Sequence, residues 1–162
     1  MLVSNIECAS KEKMVEKYFN TVYKLALSQT KDKDNADDVV QEVFLRYIRS
    51  NTSFESEEHL KAWLIRVTIN CSKNIFSNSW LKKTVPLTEE IVFEREELSD
   101  VYYAAMGLPS KYRTVIHLFY YEEMTVSEIA KALNTKETTV KSQLHRARNM
   151  LKEKLKGGFG DV

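Results

Sequence analysis

Turn-forming residues are scarce in this chain: its 162 residues include only 4 glycines and 2 prolines. Both residue types punctuate turns and interrupt helices. Their shortage, with 43% hydrophobic and 29% charged residues, points to a soluble, mostly helical protein. Three of the glycines stand in the terminal GGFGDV, which leaves no glycine loop to cradle a phosphate. Cysteine is equally sparse. Cys8 and Cys71 lie far apart with no CxxC or Cys/His spacing, which argues against a disulfide framework or a zinc site. Cys71 falls on an apolar helical stripe. His59, His117 and His145 are scattered over separate predicted helices, and Glu55 with His59 is the one suggestive pair. No catalytic residue, cofactor or metal site is expected. No apolar run approaches the ~20 residues that span a bilayer. The opening MLVSNIECASKEK has neither a basic start nor a sustained apolar stretch, so no signal peptide is evident. The expected location is cytoplasmic.

What the chain does have is helical periodicity. Met14, Val15, Tyr18, Phe19, Val22, Tyr23 and Ala26 recur at helical spacing and predict a helix over residues 11–29. The polar KDKDN follows as a loop. Asp34 is placed to cap a second helix over 34–49, with the stripe Ala36, Val39, Val40, Val43, Phe44, Tyr47 and Ile48. Residues 51–55 connect to a third helix. Ser56 caps it, and Glu57 and Glu58 sit in its first turn, where the helix dipole favours them. Its seam is Leu60, Trp63, Leu64, Val67, Cys71 and Ile75. These three helices predict an N-terminal unit over 1–80. Residues 81–97 lose the periodicity, contain Pro86 and a cluster of glutamates, and read as an acidic linker. The pattern resumes at Leu98, Val101, Tyr102, Ala105 and Met106. Gly107 ends that helix, and Pro109 suits the first turn of the next, which carries Val115, Ile116, Phe119 and Tyr120. Residues 98–162 thus predict a second unit, of four helices, with a frayed tail.

The last two helices carry the most specific signal. Thr125 and Glu128 have the spacing of a capping box. Ile129, Ala130 and Leu133 then face inward, Asn134 breaks the helix, and Thr135 is placed to cap a longer one running to about Leu155. At 100° per residue, Val140, Leu144, Ala147, Leu151 and Leu155 form one stripe. Thr138, Lys141, Ser142, His145 and Asn149 oppose it, flanked by Arg146 and Arg148. Residues 135–156 hold seven Lys/Arg against two Glu, a local +5 in a chain whose total is +1. A basic outer face is often only a solvated surface. Concentrating the charge on one element is instead the electrostatic footprint of nucleic-acid binding. The pair reads as a helix-turn-helix whose second helix offers donors to phosphates and base edges.

Three strings, DNADDVVQEVFLRY, HLKAWLIRVTIN and LPSKYRTVIHLFYYEEMTVSEIAKAL followed by TVKSQLHRAR, make the chain resemble the extracytoplasmic-function sigma factors of bacterial RNA polymerase. The similarity spans roughly residues 19–155, with the motifs in order on both sides of the linker. It implies an all-α fold of two small helical domains joined by a flexible linker. Residues 1–80 would serve core RNA polymerase and the promoter −10 element, and residues 98–162 the −35 element. The helix over 34–49 would dock on the clamp coiled coil of the polymerase β′ subunit. Asp37, Asp38, Gln41, Glu42 and the edge of Phe44 read either as an ordinary solvated face or, as the resemblance implies, as the docking face, a mixture that suits a partner helix bearing arginines. An anti-sigma factor is the implied controller, with no direct membrane insertion.

The resemblance places −10 recognition on Phe54, Arg66, Asn70, Lys73 and Asn74. Capture of a melted strand needs an aromatic surface for an unstacked base and donors along the backbone. Trp63 and Phe76 are expected in the core. The sequence departs from the family at Asn74, where an acidic residue is common, and at Ser77, where Arg is common. The −35 contacts map onto Thr138, Thr139, Lys141, Ser142, His145 and Arg146. Arg146 suits a bidentate base or phosphate contact and Lys141 a phosphate or guanine. His145 either reads a base edge or lies across the backbone, and Gln143 replaces a commonly basic residue. A DNA-binding regulator that does not join polymerase would leave the DDVVQEVF helix and the Trp63 segment unexplained. A helical protein-interaction module would leave the +5 helix unexplained.

Overall fold

The computed structural model describes residues 2–78 and 100–159, and the chain divides into two compact units. Among the described residues all regular structure is helical, and no helix is long and apolar enough to cross a membrane. The linker expected at 81–97 lies outside the described residues.

In the first unit, α1 (Leu2–Thr30), α2 (Lys33–Arg49) and α3 (Glu57–Asn78) pack against one another. α1 starts well before the expected residue 11, because nothing in LVSNIECASKE breaks a helix even though the apolar stripe is weak there. It stops where Thr30 Oγ1 turns back to donate to the Ala26 carbonyl at 2.9 Å. Lys31 then takes a left-handed φ of 58°. The connection is therefore shorter than KDKDN, and the cap moves with it. Asp32, not Asp34, accepts the Asn35 N–H at 3.1 Å; Asp34 falls in the first turn of α2, still favoured by the dipole. At α3 the expectation holds, since Ser56 Oγ accepts the His59 N–H at 3.1 Å.

Val22, Leu25, Ala26 and Leu27 of α1, Ala36, Val39 and Val43 of α2, and Leu60, Leu64 and Ile65 of α3 form the core. Each large aliphatic side chain withdrawn from water contributes about 1.5–3 kcal/mol. Two hydroxyls share that interior without cost in lost partners: Thr68 donates to the Leu64 carbonyl at 2.6 Å and Ser72 to the Thr68 carbonyl at 2.7 Å. Cys71 is buried, and burial raises its thiol pKa, consistent with a packing role. Trp63 is half-buried rather than fully internal, and the Phe76 side chain lies outside those described.

The second unit comprises α4 (Asp100–Met106), α5 (Ser110–Ile116), a π-helical turn (His117–Tyr121), α6 (Val126–Leu133) and α7 (Glu137–Phe159). Pro109 occupies the N-cap of α5 rather than its first turn. The buried Arg113 on α5 donates to the carbonyls of Leu108 at 2.7 Å and Met106 at 3.4 Å. It thereby ties the last carbonyl of α4, which the helix end leaves open, to the turn that follows. The π turn is absent from the periodicity reading; in it the Glu122 N–H reaches back to the His117 carbonyl at 3.2 Å. Both arms of the Thr125/Glu128 capping box form, each at 3.1 Å, and Asn134 ends α6 with φ 54°. α7 begins at Glu137, so Thr135 lies ahead of the cap position, and it continues past Leu155 through the glycines. Val140, Leu144, Ala147 and Leu151 of α7 are buried, as are Val115 and Ile116 of α5 and Ile129 of α6, the helices that pack on it.

Candidate nucleic-acid interface

α7 divides as its sequence requires. While Val140, Leu144, Ala147 and Leu151 of its seam are buried and Leu155 is intermediate, Thr138, Lys141, Ser142, His145 and Arg146 are exposed, and Thr139 is intermediate. The face is also internally braced. A hydrogen bond from Arg146 is the main cause that lowers the Tyr112 phenol pKa, so the guanidinium is steered by α5. Asn149 Nδ2 lies 3.4 Å from His145 Nε2, one turn along the same face. Arg148 is committed elsewhere: its Nε donates to the Tyr120 hydroxyl at 2.8 Å, and its guanidinium stacks 5.3 Å from the Phe119 ring. Basic charge on α7 is thus sorted into residues facing outward and one residue tying the helix to the π turn.

The expected −10 residues gather on one side of α3. Arg66, Asn70, Lys73 and Asn74 are all exposed, at spacings that share a helical face. Phe54 is not a free tip. It stands 5.5 Å from Trp63 and 5.3 Å from His59, both edge-on, and 6.1 Å from Tyr47. His59 Nδ1 accepts the Glu55 N–H at 3.2 Å, so the Glu55–His59 pair fixes the loop rather than forming a proton-transfer couple. Trp63 bridges the cluster, with Tyr47 at 6.3 Å. Its position between core and surface explains why it is half-buried.

On α2, Asp37, Asp38, Gln41 and Glu42 are exposed. Glu42 accepts from Arg46 Nε at 2.9 Å, one turn away. Phe44 corrects the expectation. It is only 6% exposed because it stacks on Phe19 of α1, with ring centroids 6.2 Å apart. The apolar part of this surface comes instead from Ile48 at 54% exposure, Phe19 at 45% and Leu45. Periodicity groups Ile48 with the buried stripe of α2 and Phe19 with the seam of α1. Both sit at stripe edges, which periodicity cannot assign to core or surface. Lys11 and Lys17, which hold the two ends of the loop before α3, carry no signal in the sequence, since their partners Ser50 and Glu57 are distant along the chain. Among the described residues no cluster of His, Cys, Asp or Glu is arranged to hold a metal ion.

Known proteins align with both units. The family sigma-70 region 2 matches residues 14–81, and sigma-70 region 4 matches residues 99–151. SigM of Bacillus subtilis, an ECF RNA polymerase sigma factor, is 31% identical over 93% of this chain and 98% of its own. SigW of the same organism, also an ECF RNA polymerase sigma factor, is 28% identical over 88% of this chain and 87% of its own. Two solved structures share the fold at 23% identity. One is CnrH in complex with the cytosolic domain of CnrY, with TM-score 0.72 and coverage of 92% and 89%. The other is the sigma factor RpoE in complex with the anti-sigma factor NepR from Bartonella quintana, with TM-score 0.71 and coverage of 90% and 96%.

Proposed function

Since the chain belongs to the extracytoplasmic-function sigma factors, the RNA polymerase subunits that recognise promoters and start transcription, we propose how its surfaces divide that work. Residues 98–162 hold the −35 duplex, with α7 in the major groove. Lys141, Ser142, His145 and Arg146 face the bases and phosphates, and Thr138 and Thr139 stand near the helix start. Residues 1–80 hold the polymerase and the −10 element, and 81–97 tether the two units. Phe54 receives an unstacked base, while Arg66, Asn70, Lys73 and Asn74 follow the strand. Asp37, Asp38, Gln41 and Glu42 meet the β′ clamp coiled coil, with Ile48, Leu45 and Phe19 in place of Phe44 as the apolar contact. The chain performs no covalent chemistry itself; nucleotide joining belongs to the polymerase. It works in the cytoplasm, where polymerase and promoter DNA are found. An anti-sigma factor controls it by covering these faces, as a reading carried over from the RpoE–NepR complex.

The observation that supports this reading most is the simultaneous exposure of donor-rich faces on α3 and α7, one in each sigma-like region. Two DNA faces on two units suit a protein that must read duplex and melted elements together. The decisive experiment is promoter opening by reconstituted holoenzyme, followed by permanganate footprinting of unpaired thymines. Phe54→Ala should reduce opening at a duplex promoter by a free energy of about 1–3 kcal/mol, the scale of one base stacked on an aromatic ring. A premelted −10 region should recover part of the loss, with core affinity unchanged. Undiminished opening would remove Phe54 from the −10 site.

A further inference from the structure

We infer, on the reading of Phe54 as a −10 contact, that α1 splints the strand-capturing loop, with Lys11 as its principal positioning residue. Residues 50–56 link α2 to α3 without regular structure, and ordering such a segment costs conformational entropy. The two ends of this loop are held by the same helix. At the start, Lys11 Nζ donates to the Ser50 carbonyl at 2.9 Å and to the Ile48 carbonyl at 3.1 Å. These acceptors lie where α2 leaves carbonyls open and its dipole is negative. The ammonium also lies 5.7 Å from the centre of the Tyr47 ring, which in turn contacts Phe54.

At the far end, Lys17 pairs with Glu57, the first residue of α3, and the Tyr18 hydroxyl donates to the same carboxylate oxygen at 3.1 Å. Lys11 and Tyr18 are seven positions apart, two turns along one face of α1. The spacing of donors on a rigid helix therefore sets the distance between the loop's ends. Lys17 and Glu57 are each about half exposed, so their pairing adds little stability; its consequence is placement. With its ammonium committed to two carbonyls, Lys11 acts on DNA through Phe54. A loop ordered before binding spares the captured base that ordering cost.

The test uses full-length protein in holoenzyme. Lys11→Met keeps most of the alkyl stem and removes the donor. It should slow opening of a duplex promoter by about fivefold, the scale of one net hydrogen bond, and Lys11→Arg should restore most of the rate. In a Phe54→Ala background the same change should add nothing, because residues acting as one unit are non-additive. In the free protein, the Glu55 amide should exchange faster in Lys11→Met, while protection in the cores of α2 and α3 stays as in wild type. Wild-type opening by Lys11→Met, losses that add to those of Phe54→Ala, or a general loss of protection would each overturn the splint. If Phe54→Ala itself opened promoters normally, the −10 assignment would fail first.

Discussion

The two surfaces proposed to face DNA are built in different ways. On α7 the proposed −35 contacts line one side of a single helix, and the side chains that hold the unit together line the other. The proposed −10 surface is composite: donors on α3, an aromatic residue from a loop, and supports from α1 and α2. A single-helix site separates stability from recognition, because the two sets of residues point in opposite directions. A composite site mixes them, since Tyr47 and Trp63 both fill the unit and shape the place where a base would stack. The first kind tolerates substitution face by face. The second does not.

The largest expected effect tests the separation on α7. Leu144 is fully buried, and Leu144→Ala should destabilise the C-terminal unit by about 2–5 kcal/mol. Under conditions where the variant stays folded, its preference among −35 sequences should match wild type in competition binding. A changed sequence preference at full folding would show that the two faces are coupled. Arg146→Ala should do the reverse and at smaller scale. It should cost about 1–3 kcal/mol of −35 recognition while leaving the urea midpoint of the unit close to wild type. If Arg146→Ala instead lowered the midpoint and left −35 binding alone, its link to Tyr112 would be the arginine's whole role.

The smallest effect concerns alkaline pH and compares the units directly. Burial, assisted by a hydrogen bond to Glu57 and the charge of that carboxylate, raises the Tyr18 phenol from 10.0 to about 12. The folded state then holds this proton more tightly than the unfolded chain. The contribution is full below pH 10.0 and is lost as pH rises through about 12. Tyr102 in the second unit is also raised to about 12, mainly by burial. Both units should therefore weaken over the same alkaline window. Tyr18→Phe should lessen the dependence in the N-terminal unit alone, where burial also raises Tyr23 and Tyr47, measured by urea unfolding at pH values on either side of the window. An unchanged alkaline slope there would remove Tyr18 as its source.

Much of α7 was legible in advance because its organisation is local. A capping box spans three residues, and the partition of Lys141 and His145 from Val140 and Leu144 needs only the helical period. The −10 surface was legible only in part. Phe54 and the exposed donors of α3 could be named, but the setting of Phe54 among Tyr47, His59 and Trp63 could not. The same limit moved the apolar part of the α2 face from Phe44 to Ile48 and Phe19. A stripe tells which side of a helix turns inward, yet its edge residues are covered or bare according to the neighbour that packs there.

By itself, then, the sequence determined helix identity, the cap of α6, the buried seams and the gathering of positive charge on α7. All of these follow from residues within a turn or two of each other, where backbone geometry dictates proximity. The tertiary structure alone decided that Lys11 would close the end of α2, that Glu57 would be held by α1, and that Phe44 would disappear beneath Phe19. Those contacts join residues 25 to 40 positions apart, and they exist only because three helices cross at angles set by the packing of their side chains.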